Sequence, residues 1–150
     1  MHSHYKKLRA LIIALTIMGV IPFLLYPVAI EFYGYDSALL LAPFLSYSNV
    51  IISFMCGTLW GNTKSAANLS ERRKIAFILL SVVIFLISWF SFNLLDAAQQ
   101  VRVYSLLFVL LLGMDFVLYK KAHFPRWYYL ARVMTTTLVL VIILYSLKYI

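Results

Sequence analysis

Five long apolar runs, separated by short polar breaks, make up almost the whole chain. A helix needs about 20 apolar residues to cross a ~30 Å hydrocarbon core. The pattern predicts helices over about 8–30, 43–61, 74–95, 101–119 and 127–149. The expected fold class is all-α, a polytopic bundle of five transmembrane helices forming a single domain over residues 1–150. No stretch is left over for a soluble catalytic module. The first run follows a basic segment, as in a secretory signal. It is longer than an ordinary signal core and lacks a small-x-small cleavage site, so it is read as a retained helix.

Breakers and caps refine these helices. Pro22 and Pro27 fall in the second half of the first one, where each removes a backbone hydrogen bond. A kink or early end is expected there, with neighbouring helices covering the freed carbonyls. Asn68 or Ser70 is placed to cap the third helix, with Glu71 at its positive end. Pro125 suits the start of the fifth, and Trp127, Tyr128 and Tyr129 then lie at headgroup level.

Composition agrees with this reading, and charge adds a direction. The chain is 64% hydrophobic and 12% charged, against about half and a quarter in soluble domains. Its 13 Lys and Arg outnumber 5 Asp and Glu, for a net charge of +8. Lys6, Lys7, Arg9, Lys64, Arg72, Arg73, Lys74, Lys120, Lys121, Arg126 and Arg132 fall on one side of the five-pass arrangement, leaving Arg102 and Lys148 on the other. Basic residues stay in the cytoplasm, so an N-in, C-out orientation is expected. A nucleic-acid binder gathers its basic residues on a folded face. Here they flank apolar spans, so the expected partners are membrane lipids, a membrane-protein partner or a second copy, and no nucleic acid. The match of Asn68-Leu69-Ser70 to a glycosylation acceptor is then accidental. Cys56 is the one cysteine, which excludes an internal disulfide. It is read as a small apolar residue within the second helix.

Two groups of residues could carry chemistry. Asn49, Ser53, Gly57 and Gly61 recur every four residues along the second helix, with Ser46 extending the row. Such a small-residue ridge permits close helix packing in lipid. Its functional alternative is a polar groove for a lipid headgroup or quinone. Asp115 is the carboxylate set deepest in a span, and an intramembrane acid is a functional candidate by default. Arg132 lies at matching depth on the next, antiparallel helix, so an Asp115–Arg132 ion pair is expected. His2, His4 and His123 lie outside the spans and are poor haem ligands or catalysts. Thr135, Thr136 and Thr137 have no base nearby and can bond to helix carbonyls instead. Metalloprotease, nucleophile-elbow, phosphate-loop and dinucleotide motifs are missing. No cofactor, metal or catalytic residue is therefore assigned.

Three segments resemble domain-of-unknown-function family 3429. Ile51-Ile52-Ser53-Phe54-Met55-Cys56-Gly57-Thr58-Leu59-Trp60-Gly61 is similar to its "SFxGGxxWG" stretch. Pro125-Arg126-Trp127-Tyr128-Tyr129-Leu130-Ala131-Arg132, with Thr135 or Thr136 beyond, resembles its "PxWYxxLR…T" stretch, and Gly19-Val20-Ile21-Pro22-Phe23 its "GxxPF" opening. The sequence departs from the family pattern at Cys56, where glycine is common, and at Leu59, where many members carry histidine. The resemblance implies five helices and a small, multi-pass protein of the bacterial inner membrane, with mitochondrial relatives called transmembrane protein 69, and no assigned activity. It singles out Ser53, Gly57, Trp60, Gly61, Asp115, Pro125, Trp127, Tyr128 and Arg132. With the topology above, a candidate polar site of Asp115, Arg132, Trp60, Trp127 and Tyr128 is expected near the cytoplasmic interface. The function expected is that of a non-enzymatic accessory protein binding a lipid or membrane-protein partner in envelope maintenance. The alternative is a small carrier or lipid-handling protein with a polar cavity around Asp115 and Arg132.

Overall fold

A computed structural model describes residues 2–122 and 125–150. The described residues fold into α1 (His2–Met18), α2 (Ile21–Tyr33), α3 (Ser37–Ser65), α4 (Glu71–Leu94), α5 (Ala97–Ala122) and α6 (Arg126–Ser146), which runs on into a 3-10 turn at Leu147–Tyr149. Five helical segments among them are long and apolar enough to cross a membrane, with α1 and α2 together making the first. Large apolar side chains such as Phe32, Leu39, Phe54, Leu94 and Leu106 are exposed all round the bundle. Water would not tolerate so much apolar surface, whereas lipid matches it.

The first span breaks at Gly19 and Val20, upstream of either proline, and Pro22 takes up the first turn of α2. The position suits it, because a first-turn N–H has no partner inside the helix. Phe23 N–H turns to the Val20 carbonyl at 3.1 Å, which frees the Gly19 carbonyl. The Tyr47 hydroxyl of α3 donates to that carbonyl at 2.9 Å. The expected covering of a freed carbonyl by a neighbouring helix is therefore met by a named side chain. Phe23, fully buried, holds the break in place with rings edge-on to Tyr47 at 5.0 Å, Phe44 at 6.2 Å and Phe108 at 6.2 Å. Pro27 lies inside α2 and is buried.

α3 and α5 begin earlier than the apolar pattern suggests. α3 starts at Ser37, capped by Asp36, whose Oδ1 accepts from Ala38 N–H at 2.9 Å, and it carries Pro43 inside. α5 starts at Ala97, where Asp96 Oδ1 accepts from Gln99 N–H at 2.8 Å and Gln99 Oε1 from Asp96 N–H at 3.4 Å. Asp96-x-x-Gln99 is thus a reciprocal cap. At α4, Ser70 occupies the cap position without a side-chain cap bond, and Glu71 lies in the first turn.

α3 runs through the middle, packed on α2, α4 and α5, while α6 packs on α5 and α2 and carries α1 on its flank. The ridge reading expected Gly57 and Gly61 to face another helix closely, within the bundle or in a second copy, and within the bundle they do not make the close α3–α4 contact. Both are exposed, and no heavy atom lies within 4 Å of where a Cβ would stand. The small residues that admit the neighbour belong to α4: Ser81, Ser88 and Ser91 are buried around Ile84. Ser88 Oγ–H donates to Asn49 Oδ1 at 2.6 Å, so Asn49 finds its partner here. Ser53, half-buried, bonds to its own helix at the Asn49 carbonyl.

Contacts pin the two ends of the bundle. At the end bearing the basic links, Arg9 of α1 lies 5.5 Å from the Trp127 ring and Asn62 Nδ2–H of α3 donates to Tyr128 Oη at 3.4 Å. At the opposite end Glu31 of α2 pairs with Lys148, and the Tyr145 hydroxyl donates to Glu31 at 2.6 Å.

Candidate functional site

Asp115 and Arg132 meet as expected. Asp115 lies seven residues inside the end of α5 and Arg132 six inside the start of α6, roughly 10 Å and 9 Å at ~1.5 Å per residue. Antiparallel packing of the two helices then sets them side by side. Arg132 Nε–H donates to Asp115 Oδ2 at 2.8 Å, with the side chains 15% and 7% exposed. Beside the pair, Tyr129 stacks on Tyr119 at 4.8 Å and leans on Phe116 at 5.6 Å, holding α5 to α6. Lys120 puts its ammonium 4.6 Å from the Phe116 ring. That leaves Arg132 as the cation that neutralises Asp115.

One face of Arg132 borders a crevice of about 310 Å³ between α1, α3 and α6. Ile12, Leu15 and Thr16 of α1 form one wall, and Ile51, Phe54, Met55 and Thr58 of α3 another. Gly19, Val20 and Phe23 of the helix break, with Phe108 of α5, close the floor. α6 contributes Tyr128, Arg132, Thr135, Thr136 and Val139. From Tyr128 to Val139 the crevice follows α6 for roughly 16 Å at ~1.5 Å per residue. Asp115 does not line it, so the space beside the ion pair is an apolar slot with a polar wall and not the polar cavity that a carrier would need.

Most hydroxyls in this slot are already satisfied by their own helices. Thr16 donates to the Ile12 carbonyl at 2.7 Å, Thr58 to Phe54 at 3.0 Å, and Thr135 to Ala131 at 2.9 Å. Thr136 is the most buried of the slot's threonines, 3% exposed. The sequence reading grouped it with Thr135 and Thr137 as carbonyl-bonding hydroxyls and so missed it. Its spacing, one helical turn beyond Arg132 on the same face, is the signal that could have found it.

The five residues of the expected polar site divide. Asp115, Arg132 and Tyr128 come together, and Trp127 stands beside them, half-buried and edge-on to Tyr128 at 6.0 Å. Trp60 does not join them. It lies on another face of α3 and lines a shallow groove with Ser53, Cys56, Gly57 and three α4 residues, Ser81, Val82 and Phe85. The helical period explains this: Thr58 and Trp60 are two residues apart and so face different ways. Cys56 and Leu59 are both buried in the core, 5% and 2% exposed.

No curated protein matches the chain, and no solved structure does. Over residues 8–148 the sequence matches the family described as "Protein of unknown function (DUF3429)", and the chain belongs to that family.

Proposed function

We propose that this is a non-enzymatic, multi-pass protein of the bacterial inner membrane that holds one membrane amphiphile in the crevice between α1, α3 and α6. The crevice itself carries the reading. It is apolar along most of its length, reaches an ion-paired arginine, and has the volume of a small ligand site, whose range begins at ~300 Å³. Leu15 and Phe54, 57% and 71% exposed, flank it on the lipid side, so a tail can enter from the bilayer without crossing water. An accessory role in the envelope fits a chain with such short links between spans. The apolar walls favour this over a small carrier, whose cargo would need a polar path.

Leu15→Trp tests the reading. Leu15 lines the crevice yet is mostly exposed, so an indole there fills the slot without opening the core. Native mass spectrometry of the purified protein is expected to show bound lipid-sized mass on the wild type and to lose it on Leu15→Trp, with melting unchanged. Equal occupancy of the two proteins overturns the assignment.

The proposed orientation is N-in, C-out, supported by the eleven basic residues gathered at one end. A reporter active only in the periplasm is expected to work when fused after Ile150 and to be silent when inserted near Asn68. The reverse pattern overturns the orientation.

A further inference from the structure

The geometry points to an uncharged headgroup bearing carbonyl acceptors on a flat ring, the chemistry of a membrane quinone, seated against Arg132 and Thr136. The inference rests on the crevice reading above and deepens it by naming the ligand class.

Charge balance comes first. Among the described residues Arg132 is the one charged side chain in the crevice wall, and Asp115 already neutralises it at 2.8 Å. A carboxylate or phosphate placed beside that pair would leave a net negative charge in a medium of low dielectric, where an uncompensated ion is strongly disfavoured. Arg9, the cation near the mouth, is not part of the wall and lies against Trp127 instead. The slot therefore selects a neutral occupant.

Hydrogen bonding comes second. Arg132 commits its Nε–H to Asp115, and its side chain borders the slot. Thr136, one turn deeper and 3% exposed, lines the same wall. Both bring hydrogen-bond donors to the edge of an apolar space, where a hydrogen bond to a ligand acceptor is electrostatically stronger than in water. A ligand that supplies acceptors and no charge meets both requirements.

Shape comes third. Phe23 and Phe108, both buried, close the deeper half of the slot, and aromatic edges and faces favour a flat ring. About 310 Å³ accommodates a headgroup and a short part of a tail, so the rest of an isoprenoid chain leaves past Leu15 and Phe54 into lipid. The groups described supply binding and orientation only.

The test uses the full chain in phosphatidylcholine nanodiscs. Two probes of similar length are titrated separately, a decyl-tailed benzoquinone and palmitate, against wild type, Thr136→Val and Leu15→Trp. Thr136→Val keeps the side-chain shape and leaves the ion pair intact. The quinone is expected to bind wild type, to bind Thr136→Val about tenfold more weakly, as the loss of one hydrogen bond implies, and to fail on Leu15→Trp. Tighter binding of palmitate, lost on Leu15→Trp, overturns the neutral-headgroup inference and leaves the crevice reading standing. Quinone binding insensitive to Thr136→Val but lost on Leu15→Trp overturns the assigned headgroup position. Binding of neither probe, or binding indifferent to both variants, overturns the quinone inference, and the Leu15→Trp mass measurement on the native protein decides the crevice reading separately.

Discussion

Asp115→Ala and Arg132→Ala are each expected to destabilise the purified protein by about 3–5 kcal/mol, and the double variant is expected to recover part of that loss. The magnitude is that of breaking a buried ion pair by removing one partner, which leaves the other charge unmatched. The pair is direct, at 2.8 Å, and little exposed. Among the described residues no other cation pairs with Asp115, and the ammonium of Lys120 lies over the Phe116 ring. Removing both charges leaves no orphan, so the two losses do not add. The coupling in a double-mutant cycle measures the interaction directly, read from thermal or denaturant unfolding in one detergent. The cycle also separates two roles. If the double variant folds and still holds its lipid, the pair is a structural staple between α5 and α6. If it folds and releases the lipid, Arg132 is part of the binding wall. A coupling near zero would show that the bridge contributes nothing, whatever its geometry.

The spans and the ion pair could be read from the sequence because each depends on a one-dimensional quantity. Length and apolarity set a crossing, and counting residues inward from two helix ends sets the depths of Asp115 and Arg132. Rotation about a helix axis is harder to read. In lipid an apolar side chain is equally at home facing the bilayer or the core, so hydrophobicity no longer marks the inside. Ser53, Gly57 and Gly61 therefore looked like a packing face, yet Gly57 and Gly61 point outward and the serines of α4 make the close contact. Trp60 was grouped with Arg132 by the family resemblance and by depth, and rotation about α3 separates them. The break at Gly19 was displaced from the prolines for a local reason: Pro22 fits a first turn, so the chain unwinds just before it. The early starts of α3 and α5 were written in Asp36 and in Asp96-x-x-Gln99, polar caps lying beyond the apolar runs. The crevice was not legible at all, since it joins α1, α3 and α6, distant in sequence, around a helix break.

Leu59→Ala is expected to destabilise by about 2–5 kcal/mol, the usual range for truncating a leucine in a packed core, while Gly57→Leu is expected to leave melting within about 0.5 kcal/mol of wild type, as for a surface position. The ridge reading of the second helix would have put the larger loss at the glycine. Leu59 is 2% exposed and lies on the α3 face that also buries Ile52, Met55 and Thr63. Its removal leaves a cavity that rigid neighbouring helices cannot close. Gly57 is exposed, and a Cβ added there meets no heavy atom within 4 Å. Leucine is also a far better helix former than glycine, which offsets small losses. Melting of the two variants in the same detergent checks the order, and size-exclusion light scattering adds a second readout. If Gly57→Leu melts like wild type but loses a dimer that wild type forms, the glycine face is a contact between copies. If Gly57→Leu is the less stable variant, α3 is rotated from the orientation described here, and the α3 wall of the crevice falls with it.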